Sequence, residues 1–301
     1  MSSYYLSIFT FVGISIIGVL GTYLVTGLTG MFSLGQSTLM AVGAYCAGIA
    51  VVKAGLPVPV AFIIAILITA ILAFLIGSVA LRLRQDFFAL VTFGFGEAIK
   101  ALLNTSVNLT GGAAGLAGVP MKVTFPIVAI CLVAAIFVTY RIKRSNLGRR
   151  SLAIRDNELA AEVLGVPTYR HKLTIFVIGS VFAGLAGCLY VFYTTYIEPA
   201  TFGWLKSAEW IIMVYFGGRG SITGAVVSGL VLLSLPELLR FADEYRTIIY
   251  CVSVITILSF RPNGIMGDRE FSIKGIIQFA KKLTVRETIA SVRKEDSDAH
   301  S

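Results

Sequence analysis

Apolar residues in this chain come in long unbroken runs, without the alternation of a half-buried strand or the one-sided stripe of a soluble helix. The runs predict helices over 4–25, 34–52, 60–81, 86–104, 124–140 and 173–196. Shorter runs follow at 205–216, 225–239 and 247–260, and Pro236 is placed to kink the second of these. Several exceed the roughly 18 apolar residues that mark a membrane crossing. Continuous apolar runs exclude a β-barrel, whose strands alternate. The expectation is an all-α polytopic integral membrane protein with about 8–9 transmembrane helices. The count depends on whether 205–239 forms two crossings or a re-entrant hairpin.

Composition agrees: the 301 residues are 56% hydrophobic and only 14% charged, where soluble chains run near a quarter charged. Residues 1–267 are expected to form the membrane domain, and 268–301 a polar, partly ordered cytoplasmic tail. Residues 1–10 lack a basic leader and a small-residue cleavage site, so the first run is expected to stay as a span. Each of the cysteines Cys46, Cys131, Cys188 and Cys251 sits alone in an apolar run, which predicts reduced, buried thiols and no metal site.

The net charge of +9 raises the question of nucleic acid, but the basic residues sit beside membrane spans. Most of the excess lies in 141–172, where eight Lys and Arg face Asp156, Glu158 and Glu162. The positive-inside rule makes this loop cytoplasmic. Counting crossings from it puts the N-terminus and 104–123 outside, and Arg82, Arg84 and the C-terminal tail inside.

No catalytic constellation is present: the chain lacks a Walker A sequence, a zinc-protease helix and a serine-hydrolase elbow. Residues 217–224 are glycine-rich but read as a hairpin turn, with no glycine-lysine pair. Glu97 stands in an otherwise apolar run, with Lys100 three residues on and available to pair with it. A charge at that depth costs about 3 kcal/mol, so Glu97 either fixes helix register or lines a path. The uncharged break at 27–35 and the glycines of 110–118 have the same two readings, turns or substrate-coordinating broken helices.

Inside the basic loop, 155–165 reads as a short capped helix. Asp156 or Asn157 can cap its start, Glu158 favours the positive end of its dipole, and Gly165 followed by Pro167 ends it. Leu159, Ala160, Val163 and Leu164 form an apolar face too short to span a membrane. Such a helix either lies on anionic lipid or docks in a groove of a soluble partner.

Residues 158–165, ELAAEVLG, resemble the glutamate-alanine-alanine loop of ABC importer permeases. The chain as a whole resembles the second permease of the branched-chain amino acid ABC importers. The resemblance rests on 32–35 with 43–45, 80–84 with 88–92 and 95–97, and 109–112 with 115–120. It continues through 153–165, 182–187, 216–221 with Gly224, 235–238 and 260–264, covering about residues 20 to 267. It implies a multi-pass protein of the bacterial inner membrane that is not itself an enzyme. A sister permease, two cytoplasmic ATPase subunits and an external substrate-binding protein complete the importer. ATP and magnesium are then held by partner subunits, and this chain binds no cofactor.

By the same resemblance, Asp156, Glu158, Ala161, Glu162 and Gly165 belong to a cytoplasmic coupling helix seated on an ATPase. Gly35, Gln36, Glu97, Gly111 and Gly112 are candidates for the translocation path. Gln36 stands where many relatives have His, and Ala113 with Ala114 where many have polar residues. These departures leave the substrate open among branched-chain and other amino acids, urea, amides and aromatic acids. The alternative function is an ion-gradient-coupled transporter or channel using Glu97.

Overall fold

A computed structural model of the chain describes residues 2–83, 85–238, 251–252, 255, 259 and 264–267. The expected segment 240–246 and tail 268–301 lie outside the described residues, as does the last span, 247–260, apart from 251–252, 255 and 259.

The apolar runs fold as helices: α1 (Ser2–Thr22), α2 (Gln36–Val52), α3 (Val58–Ala80) and α4 (Gln85–Thr105) come first. A single turn, α5 (Val107–Thr110), precedes α6 (Phe125–Arg144). The basic loop holds α7 (Asn146–Asp156) and α8 (Glu158–Val163). Then come α9 (Thr168–Thr194), α10 (Trp204–Gly217) and α11 (Ile222–Leu238). The only β-pairing among the described residues is the single bridge between Leu116 and Ile197. Five helices are long and apolar enough to cross a membrane: α1 with its extension to Leu28, α3, α4, α6 and α9.

Burial sorts these five into a centre and a rim. About three quarters of the apolar windows of α1 and α9 are buried, against 33% or less for α3, α4 and α6. Small residues make the centre possible. Gly43 of α2 meets the backbone of Gly184 in α9, and a Cβ on Gly187 would strike the carbonyl of Met40. Gly21 of α1 meets Gly179 in the same way, and Gly217 meets Gly224 between α10 and α11. Without a hydrophobic drive between helices in lipid, such backbone approach is what holds them together.

Contacts between loops separate the two ends of the bundle. At one end the basic loop meets the end of α1: Arg155 Nη1 donates to the Gly27 carbonyl at 3.0 Å. Lys143 and Tyr23 both donate to the Gly220 carbonyl, and Tyr169 donates to Ser78 O at 2.9 Å. At the other end Lys53 reaches Asn108 O, Leu116 pairs with Ile197, and Lys122 N donates to Phe192 O. The turns 27–30, 141–172 and 217–221 thus share one end, and 53–58, 106–123 and 195–198 share the other.

α2 (17 residues), α10 (14) and α11 (17) are shorter than the five long spans. At 1.5 Å per residue α2 and α10 measure about 25 and 21 Å, short of a hydrocarbon layer of about 30 Å. They run to opposite ends and meet at their N-termini. Irregular chain precedes each, 29–35 before α2 and 195–203 before α10. The expected helix at 34–52 therefore starts slightly later, because Gly35 leaves the helical region just ahead of Gln36. α1 ends in a buried π-helical turn, Tyr23–Leu28, and Gly30 at φ +73° stops it. α11 continues past Pro236 to Leu238 without ending there. Cys188 is buried and Cys46 and Cys131 are partly so, but Cys251 is exposed, contrary to expectation.

Candidate functional site

The basic loop contains two helices where one was expected. α7 begins at Ser145, whose Oγ accepts from the Leu147 and Gly148 amides. The chain then leaves the helical region at Asn157, φ −158° and ψ 106°. Asn157 Oδ1 accepts from Ala160 N at 3.0 Å and so caps α8. Asp156 therefore closes α7 and does not open α8; its carboxylate lies 3.3 Å from Arg155 Nε at the surface. At the far end Gly165 takes φ +80°. Its N–H donates to Glu162 O and the Val166 N–H to Ala161 O, the paired bonds of a Schellman motif.

The carboxylates of α8 are tied to α9. Glu158 pairs with Lys172 at 2.5 Å, and Glu162 accepts from Thr168 Oγ1 at 2.6 Å. Both partners lie at the start of α9, so the short helix is tied to a central span, and Ala161 is buried beneath it. The apolar side chains face away: Leu159, Val163 and Leu164 are 75%, 88% and 81% exposed. Three adjacent aliphatics thus stand exposed amid charge.

Hydrogen bonds cross-link the support beneath α8. His171 Nε2 sits between Ser151 Oγ at 3.0 Å and Leu147 O at 2.9 Å, locking α7 to α9. Arg155 extends the support to α1, because the Gly27 carbonyl it binds belongs to the last turn of that helix, which has no partner further along the helix. The Arg155 stem also packs over Gly30, where a Cβ would lie 3.1 Å from its Cγ. Nothing in the sequence links residues 27 and 155, which lie 128 positions apart.

Deeper in the bundle, the 29–35 break packs on α4. Leu34 N donates to Thr92 Oγ1 at 3.2 Å, and Gly35 lies against the Thr92 carbonyl. Gln36 is fully buried, and its side-chain amide atoms have no hydrogen-bond partner among the described residues; the same holds for Ser33 Oγ and Thr26 Oγ1. Each such group costs roughly 1–3 kcal/mol, and all of them fall within 26–36. Next to them Ser37 clasps the two half-length helices. Its N–H donates to Ser207 Oγ at 2.9 Å, and its hydroxyl reaches Gly203 O at 2.9 Å.

The other candidates for the path are scattered. Glu97 is half-buried in the middle of α4, and the ion pairs among the described residues, Arg155–Asp156 and Lys172–Glu158, do not join it to Lys100. Lys100 instead points towards Gly203. Gly111 and Gly112, at φ +80° and +64°, fold a turn beside Asn104 and Gly115 at the end away from the basic loop. Asn104 lies twelve residues beyond Thr92 on α4, about 18 Å along the axis. Gly35 and Gln36 thus share no site with Gly111 and Gly112. The charges that do gather are Lys100, Lys206 and Glu209, around the start of α10. Their signal was two charges in a dozen-residue apolar run.

A family model described as branched-chain amino acid transport system / permease component matches residues 4–258. The chain is 32% identical over 281 residues to the high-affinity branched-chain amino acid transport system permease protein LivM of Escherichia coli (strain K12). That alignment covers 82% of this chain and 66% of the relative, so the chain spans just under two thirds of LivM. Identity to the permease protein BraD of Pseudomonas aeruginosa, from a system of the same description, is 26% over 280 residues, 83% of this chain and 91% of BraD. The permease protein LivH of Salmonella typhimurium is 29% identical over 195 residues, 62% of this chain and 60% of LivH. No solved structure matches the chain.

Proposed function

Since this chain belongs to the branched-chain amino acid transport system permease family, we propose that it is the membrane-spanning subunit of a binding-protein-dependent ABC importer of branched-chain amino acids. The observation that carries this reading is α8. Its apolar residues Leu159, Val163 and Leu164 are exposed while both of its glutamates are tied back to α9. A short helix braced from below, with a greasy upper face, suits the groove of a soluble partner. The partner is the ATPase subunit, which holds ATP and magnesium and performs the hydrolysis.

ATPase closure then moves α8, and the motion has two routes inward. One is α9, through Lys172 and Thr168. The other is Arg155, which leads to the Gly27 carbonyl and the break before Gln36. A bistable bundle converts such a displacement into alternating access. The basic end is cytoplasmic and the N-terminus external. Nine crossings result when the two half-length helices, α11 and residues 247–260 are counted with the five long spans. Similarity to both LivM and LivH, two permeases of systems with one description, supports pairing with a sister permease of related fold. An external binding protein delivers substrate at the 106–123 and 195–198 end.

The test is ATP-driven uptake of labelled leucine, isoleucine and valine by the reconstituted complex, with wild-type chain and with Gly165→Arg. Gly165 occupies a left-handed position that an arginine strains. The variant is expected to lose the ATPase subunits on purification while keeping the sister permease. Full ATPase retention with undiminished uptake would overturn the assignment of α8.

A further inference from the structure

A cavity of about 360 Å³ opens at the N-terminal end of α10, lined by Lys100, Gly203, Trp204, Leu205, Lys206 and Glu209. That volume falls within the range of small-molecule sites, about 300–1,000 Å³. Its three charges lie where α2 and α10 meet, midway along the bundle, with Lys100 and Lys206 partly buried and Glu209 exposed. Ionisable groups at such depth are costly and mark function. Lys100, Lys206 and Glu209 take part in none of the ion pairs among the described residues. All three line the same space.

Their arrangement is polar in a defined sense. The Lys206 ammonium is held over the rings of Tyr190 and Phe202, at 5.0 and 5.8 Å from their centroids. Lys100 approaches from α4. Gly203 offers no side chain to cap α10, so the free N–H groups of its first turn add partial positive charge. Glu209 follows Lys206 by three residues, on the same helical face. The cavity therefore gathers positive groups around the start of α10, with a carboxylate one turn along. Leu205 and Trp204, 62% and 42% exposed, add apolar surface at the mouth.

A free α-amino acid carries its carboxylate and ammonium on one carbon, with an apolar side chain in the branched members. We propose that this cavity holds the zwitterionic head of the transported amino acid, with Lys206 and Lys100 taking the carboxylate and Glu209 the ammonium. The proposal rests on the permease reading above and gives that reading its substrate contact.

The experiment uses the full transporter, with its ATPases, sister permease and binding protein, in liposomes supplied with tritiated leucine. Glu209→Gln and Lys206→Gln are each expected to lower uptake about tenfold or more, the scale of one lost charge-assisted hydrogen bond. Lys206→Arg, which keeps the charge, retains more. A direct reading comes from Leu205→Cys in a Cys251→Ser background, labelled with a maleimide. Millimolar leucine slows labelling, and adding Glu209→Gln removes that protection. Uptake within about twofold of wild type in both charge variants, or labelling indifferent to leucine, overturns the proposal. Loss of the sister permease from either charge variant overturns it too, because the charges would then be subunit contacts. If the wild type itself takes up no branched-chain amino acid, the permease reading fails. Wild-type uptake with unaffected variants removes only the site.

Discussion

α8 and α10 are both too short to cross a membrane, and they solve opposite problems. α8 ties its glutamates to Lys172 and Thr168 and leaves Leu159, Val163 and Leu164 exposed. α10 buries Trp210, Ile211, Met213 and Val214 and gathers Lys206 and Glu209 at a cavity. Exposed carboxylates beside water cost little, so on α8 they are free to serve as braces, and the unusual feature is the apolar face. Inside an apolar bundle apolar packing is the default, and the unusual feature is the charge. In each helix the group that does not suit its surroundings is the one assigned to function.

Exchanging polarity at either site is the sharpest way to break that contrast. The largest effect is expected from Leu159→Glu with Val163→Glu. Two carboxylates in an apolar groove should strip the ATPases from the complex and take uptake to background, read by subunit composition and by transport. An intact, active complex would show that α8 docks elsewhere or lies on lipid. Next comes Gly217→Val. A side chain there meets the Gly224 backbone, so α10 and α11 part and the yield of folded protein falls, at a cost of several kcal/mol in the range of overpacked cores, about 1–3 or more. Melting temperature and size exclusion report it. Normal folding would mean that the junction of α10 and α11 tolerates expansion.

Arg155→Ala is expected to act more selectively. The complex assembles, but leucine moved per ATP hydrolysed falls about tenfold, the effect of removing a charged hydrogen bond. An unchanged transport-to-hydrolysis ratio would remove the Arg155 route and leave α9 as the only link. The smallest change is Glu158→Gln. The pair with Lys172 is partly exposed, and such pairs contribute about 1 kcal/mol or less. A small loss of thermal stability, shrinking as salt rises, is expected; a loss of uptake as deep as that of Leu159→Glu with Val163→Glu would place Glu158 at the docking surface after all.

The helical class, the basic end and the capped helix are legible in the sequence alone. Long apolar runs predict helices wherever they fall, and basic residues cluster beside them. Asn157 and Gly165 announce the ends of α8 because capping acts within one turn of chain. The split of the loop at Asn157 was missed, since Asp156 and Asn157 are equally good caps and only the Ser145-capped helix before them decides between them. The pairing of Glu97 with Lys100 was plausible from spacing alone, yet Lys100 turns to Gly203 on another element. Gly111 and Gly112 share with Gly35 the reading of a turn or a broken helix, but they fold at the end away from the basic loop.

Local order, then, was settled largely by sequence: which segments are helical, which loops are basic, and which short helix carries an apolar face. These depend on neighbours within a few residues. The tertiary structure decided which distant groups meet: Arg155 at Gly27, Ser37 at Ser207 and Gly203, and Lys100 beside Lys206 and Glu209. Those meetings follow from glycine contacts such as Gly43 with Gly184. A small residue allows a neighbouring backbone to approach, but its spacing along one helix does not say which helix that will be.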